Sequence, residues 1–402
     1  MKLDINYFAV QIMWLVLFLR ITAVNEITWL LIELMGCLFC TGYVIKNIKC
    51  INRSTLICGG GLAFSYLISS AVNRQYNGLY VTFSGVIYAW KMILYIAVPW
   101  ISVVKRGSRK IAKVSRDYLL LYWVPSVITV LIQGRNVVDN ANNIYFIGNK
   151  FNVAYLNVIL LCFNLYLMRR DNNERQRLVL SLKIRRSSVL TGLFYFLIIY
   201  LDLYMKAYTG LFMIVFVLLL SCISGAFKFK INKQWAGFLN FISSPIVLVV
   251  SVILSGIVTI ALDAIMSIPT IATYLETIGK TGNILSRTLI YKNLGEIISK
   301  KPWIGYGYGT AVVSRYFGPN AQNGLAQVAI QAGITGVVLV LLITYHCGKM
   351  GKDSGGRTAP FLFGVYAFIL SATVEITLGG SFLILLAFYC VCGWERKVKE
   401  ET

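Results

Sequence analysis

The feature that most constrains this chain is a succession of long apolar stretches separated by short charged ones. Twelve are legible, at about 7–21, 27–45, 54–72, 79–104, 118–132, 152–168, 189–205, 210–227, 238–262, 324–345, 360–378 and 381–394. A helix crossing a bilayer needs about 20 mainly apolar residues, since in lipid its backbone polar groups must pair within the segment. Charged residues are only 13% of the 402 and hydrophobic ones 57%, against roughly 25% and 45–50% in soluble domains. So much apolar surface cannot be enclosed in one water-soluble core. The pattern predicts an all-α integral membrane protein of about 12 transmembrane helices, a single polytopic domain over residues 1–402. The first stretch lacks a small-residue cleavage site and reads as a span, not a removable signal peptide.

The 38 Lys and Arg against 16 Asp and Glu give a net charge of +22. On a soluble protein this would suggest a polyanionic partner. With the N-terminus inside, however, 26 of the 38 fall in inner segments and 10 in outer loops, with Arg20 and Lys91 inside spans. That bias predicts cytoplasmic N- and C-termini. The inner clusters suit membrane-lipid headgroups, and no nucleic-acid partner is implied. All nine cysteines lie in spans or inner segments, away from the oxidising face where a disulfide framework would form. Cys37 and Cys40 read as small apolar residues of one helix. No GxxxxGK[ST] phosphate loop occurs, which argues against an ATP-driven pump. His346 is the only histidine, so no metal site is expected.

One loop stands apart. The outer connection at about 263–323 is far longer than the others, and such loops are usually functional. Its segment 286–300 places Ile290, Leu294, Ile297 and Ile298 at helical spacing, predicting an amphipathic helix along the outer membrane surface that ends at Pro302. Pro302-Trp303-Ile304-Gly305-Tyr306-Gly307-Tyr308-Gly309 follows, glycines alternating with aromatics. Asn320-Ala321-Gln322-Asn323-Gly324 then leads into the tenth span, which contains Gln331-Ala332-Gly333-Ile334-Thr335-Gly336.

Arg287, the glycine–aromatic run and the Gln322-Asn323 pair, in this order and over roughly residues 283–340, resemble the O-antigen ligase / polysaccharide polymerase (Wzy) superfamily. The resemblance implies a glycosyltransferase of the bacterial plasma membrane. Its donor would be an oligosaccharide on undecaprenyl pyrophosphate, its acceptor a sugar hydroxyl, and the pyrophosphate leaving group would supply the energy without metal or cofactor. A chain-length regulator protein is the partner such a polymerase would have. Typical ligases carry histidine where this chain has Gln322, and a neutral amide cannot accept a proton at physiological pH. This departure favours polymerase, in O-antigen, capsule or exopolysaccharide synthesis, over ligase; a lipid-linked oligosaccharide flippase is the rival from another class.

Arg287 is the leading candidate, a guanidinium that can hold a pyrophosphate bidentately and that opens its predicted helix. Lys206, Arg315 and Arg135 are further outer cations that could bind the pyrophosphate, each equally readable as a solvated charge. Tyr306 and Tyr308 could stack on sugar, with Gln322 and Asn323 as polar neighbours. Glu375, near the outer end of the eleventh stretch, is an ionisable group in apolar surroundings and a candidate base. Its plain alternative is a packing partner for Arg20 or Lys91. For Lys91, Glu33 on the second span is also a plausible partner.

Overall fold

A computed structural model describes residues 4–134, 145–175, 183–226, 233–266, 281–316, 320–352 and 356–401, with 268, 270 and 273 between them. Among these residues the regular structure is helical, apart from one isolated bridge between Tyr145 and Gly148. The first helices are α1 (Ile5–Ile12, continued by a π-helical turn, Met13–Phe18), α2 (Glu26–Lys46), α3 (Arg53–Val72), α4 (Arg74–Arg106) and α5 (Ser108–Gln133). Next come α6 (Lys150–Arg175), α7 (Lys183–Tyr204), α8 (Tyr208–Ala226), α9 (Lys233–Ile242) and α10 (Pro245–Met266). The last four are α11 (Thr281–Lys300), α12 (Gly324–Gly351), α13 (Ala359–Ser371) and α14 (Gly380–Glu401).

Local chemistry explains several boundaries. Asp4, Asn25 and Asn52 precede α1, α2 and α3, and each side chain accepts a hydrogen bond from a backbone N–H of the first turn, satisfying a donor the helix cannot. The ninth apolar stretch, expected as one helix over 238–262, is instead two. The chain breaks at Ser243–Ser244 and α10 starts on Pro245, where proline's fixed φ and missing N–H suit a helix's first turn. Among the described residues five helices, α2, α3, α4, the 150–168 part of α6, and α12, are long and apolar enough to cross a membrane, and shorter apolar helices accompany them. Their length and apolarity are those of membrane-protein helices.

The main core sits where α4 packs against α3, α14 and α2 while α12 closes on α3, α10 and α14. Within the same core Phe163 of α6 packs edge-to-face against Trp14, Phe361 and Phe388. His346 is held by Thr55, Nε2 to Oγ1 2.8 Å. A second, smaller core is separate. Ile290, Leu294 and Ile297 of α11 meet Val313, Ala321, Ala326 and Ile330, forming a cap over one end of the bundle.

The cap changes two expectations. The apolar face of α11 packs on protein and does not lie along a membrane surface; Ile290 and Ile297 are each 1% exposed. The tenth stretch, read as one continuous span, is broken at Gly333 (φ 68°, ψ −171°). Residues before the break contribute Ala326 and Ile330 to the cap. Residues 334–351 rise about 27 Å at 1.5 Å each, close to the hydrocarbon thickness.

Candidate functional site

The glycine–aromatic run is what breaks α12. At Gly333 an added Cβ would lie 2.2 Å from the Trp303 carbonyl oxygen, and at Gly305 2.5 Å from that of Ile330. Two backbones thus touch where only glycine fits, and Gly305, Gly307, Gly309 and Gly333 all have positive φ. The unwound carbonyls are reused. Tyr306 N–H donates to Ile330 O (2.8 Å), Gly307 N–H to Gln331 O (3.0 Å), and Ile334 N–H to Pro302 O (2.7 Å). From the α3–α4 corner, Asn73 Nδ2 donates to Gly305 O (3.0 Å) and Asn77 Nδ2 to Tyr306 O (2.7 Å). Lys301 bonds Asn73 Oδ1 and sits over the rings of Tyr76 and Tyr306.

At the other end of this short α12 segment the chain brings three distant residues together. Arg287 Nη2 lies 3.3 Å from Glu375 Oε1 and 3.4 Å from Gln322 Oε1. The Arg287 and Glu375 side chains are 22% and 13% exposed. Gln322 has φ +50°, an uncommon conformation for a residue with a side chain. It is held there: its backbone N–H and Nε2 both donate to Asn320 Oδ1 (2.9 and 3.1 Å), and Tyr291 Oη donates to its carbonyl (2.8 Å). With Nε2 on Asn320, Oε1 faces the guanidinium.

Glu375 occupies the turn between α13 and α14, since α13 ends at Ser371. Burial pushes its carboxyl above the ordinary glutamate range, opposed by the charges of Arg287 and Lys150. Burial likewise pushes the Tyr291 phenol up to about 12, so it remains a donor at neutral pH. Beside this trio a cavity of about 660 Å³ opens between α10, α11 and α12, lined by Ile253, Ile257, Leu294 and Leu325, with Thr288, Tyr291 and Lys292 on its α11 wall.

The structure places the other sequence candidates apart from the trio or in different roles. Arg287 does not open its helix: α11 begins at Thr281, because nothing between 281 and 286 breaks it. The helix-terminus charge, which fades beyond the first turn, therefore does not reach Arg287. Asn323, expected at substrate, is fully buried; its Oδ1 caps α12 through Ala326 N–H while Nδ2 donates to Ser255 O and Thr373 O. Tyr306 Oη donates to Ile297 O (2.9 Å) inside the cap. One face of Tyr308 is covered by Tyr88, ring centroids 3.9 Å apart, so that face cannot stack on sugar. Lys206 is exposed on the α7–α8 connection with φ +52° and contacts none of the trio among the described residues. Arg135 lies outside the described residues, as does the side chain of Arg315. Glu375 takes neither expected partner: Arg20 pairs with Glu26 (3.0 Å) and Lys91 with Glu33 (2.7 Å).

Sequence reasoning missed Tyr291, Asn320 and Lys292. A signal existed for Tyr291, one helical turn after Arg287 and thus on the same face. No protein-family model matches this chain, and no curated protein matches it.

Proposed function

We propose that this protein is a bacterial plasma-membrane glycosyltransferase of the polysaccharide-polymerase type. It would join oligosaccharide repeats carried on undecaprenyl pyrophosphate, with about twelve spans, cytoplasmic termini and the cap on the outer face. The observation that carries this reading is the convergence of Arg287, Gln322 and Glu375 beside an apolar cavity. A lipid-linked donor needs both parts, a cationic place for its pyrophosphate and an apolar one for its isoprenoid. Lys292 lines the cavity, and the charges of Arg287 and Lys150 act on Glu375, which places cationic groups where a pyrophosphate would need them.

In the reaction, the acceptor hydroxyl oxygen bonds to the donor's anomeric carbon as the bond from that carbon to the pyrophosphate oxygen breaks. The bonding electrons leave with the pyrophosphate, where Arg287 stabilises the charge that develops. The hydroxyl proton passes to Glu375. A carboxyl raised by burial is a better proton acceptor than an ordinary one, and the neighbouring cations favour its ionised form. Gln322 takes no proton; its Oε1 orients the guanidinium. The test is incubation of purified protein with lipid-linked repeats alone. A ladder of chain lengths is the expected product, and a ladder that forms only after a different acceptor is added would overturn the polymerase assignment.

A further inference from the structure

A second polar site lies outside the trio. On α2, Glu26, Trp29 and Glu33 recur at helical spacing along one face; on α4, Tyr80 and Lys91 face Glu26 and Glu33, and the two faces meet in a seam, with Tyr88 one turn before Lys91. At its open end Arg20 pairs with Glu26 (3.0 Å, side chains 37% and 58% exposed), and Tyr80 Oη donates to Glu26 Oε2 (3.1 Å). At its inner end Lys91 Nζ is 2.7 Å from Glu33 Oε1, at 14% and 12% exposure, and Trp29 Nε1 donates to the same oxygen. Exposure thus falls from mouth to base. An ion pair set within membrane helices is costly, and apolar residues would hold two helices together as well or better. Packing alone gives no reason for it.

We propose that the α2–α4 seam is a saccharide-binding subsite for an uncharged acceptor glycan. The charges balance, Arg20 and Lys91 against Glu26 and Glu33, which suits a neutral ligand rich in hydroxyls and not a phosphate. Paired cations and carboxylates offer donors and acceptors alternately, as sugar hydroxyls need, and the exposed Tyr80 ring offers an apolar face at the mouth. The inner end also points toward the trio. Tyr88 stacks on Tyr308 of the glycine run, and its hydroxyl lies against Gly379, where an added Cβ would be 3.1 Å away. Gly379 belongs to the turn that carries Glu375. The acceptor role rests on the glycosyltransferase reading; saccharide binding does not.

Binding can therefore be read without turnover. Full-length protein in nanodiscs would be applied to a printed array of neutral and acidic bacterial oligosaccharides. Wild type and Arg287→Ala are expected to retain the same neutral glycans, with at least tenfold weaker retention by Glu33→Gln or Lys91→Gln. A Glu33→Leu/Lys91→Met double variant, which keeps the seam packed, should elute as a folded monodisperse particle and still lose binding. Equal retention by the seam variants, preference for acidic glycans, or no glycan retained by the wild type would each overturn the proposal. Wild-type ladders from seam variants would remove the seam and leave the polymerase reading intact. Seam-dependent binding by a protein that makes no ladder would do the reverse.

Discussion

Replacing Gly333 by alanine attacks the joint on which the cap rests. At φ 68° and ψ −171° a residue with a side chain is strained by about 1–3 kcal/mol. The new Cβ would also lie 2.2 Å from Trp303 O and 2.6 Å from Ile304 N, so the two backbones must separate. That loosens the Tyr306–Ile330, Gly307–Gln331 and Ile334–Pro302 hydrogen bonds, each worth about 1 kcal/mol net. A local loss of about 3 kcal/mol or more follows, and about 1.4 kcal/mol corresponds to each tenfold change. Hydrogen exchange in nanodiscs should show the amides of Tyr306, Gly307 and Ile334 opening at least ~100-fold more readily, with α4 interior amides unchanged. Gly42→Ala, whose Cβ would meet nothing within 4 Å, is the matched control. If Gly333→Ala protected these amides as wild type does, the close approach would not hold the cap.

Three further outcomes follow from the same geometry. Glu375 is raised by burial and lowered by its cations, so the acid limb of activity should lie above the ordinary glutamate range; Lys150→Gln removes one lowering charge and should move the limb to higher pH, whereas a downward shift in the pH–rate profile would remove Glu375 as the titrating base. Gly295 lines the cavity and has open space where its Cβ would sit, so Gly295→Phe should raise KM for long-chain donors and spare short-chain analogues; equal effects on both would separate the cavity from the lipid tail. Asn323→Ala removes the cap of α12 and two side-chain bonds to carbonyls, and should cost about 1–2 kcal/mol, read as a lower thermal midpoint in detergent.

The helical architecture was legible because lipid leaves so few solutions: apolar length alone marked where helices would stand, and each of the twelve stretches holds helix, although the ninth is split in two, the tenth is broken at Gly333 and the eleventh ends early at Ser371. Breaks were harder. Pro245 announced the split between α9 and α10, and its signal was available beside two serines. Gly333 gave none, since a glycine in an apolar run resembles any packing glycine until its partner, the carbonyl of Trp303 thirty residues earlier, is known. The α11 face was recognised as amphipathic, but hydrophobic spacing cannot say whether lipid or protein covers it. The Lys91–Glu33 pair could be anticipated because a charge at membrane depth needs a counter-ion. The pairing of Arg287 with Glu375 could not, because it joins α11 to a turn 88 residues away.

The most direct test of the central claim is the ladder assay on Arg287→Ala, inserted and folded as wild type, with radiolabelled lipid-linked repeats as sole substrate. Arg287 is held to stabilise the pyrophosphate leaving group, so polymer formation should fall by roughly two orders of magnitude or more, the scale set by removing one oriented donor from developing charge. Lysine at the same position, a point charge without the guanidinium's planar fork, should recover only part of that loss. Ladders of wild-type length and rate from Arg287→Ala would contradict the claim and take the trio out of the reaction.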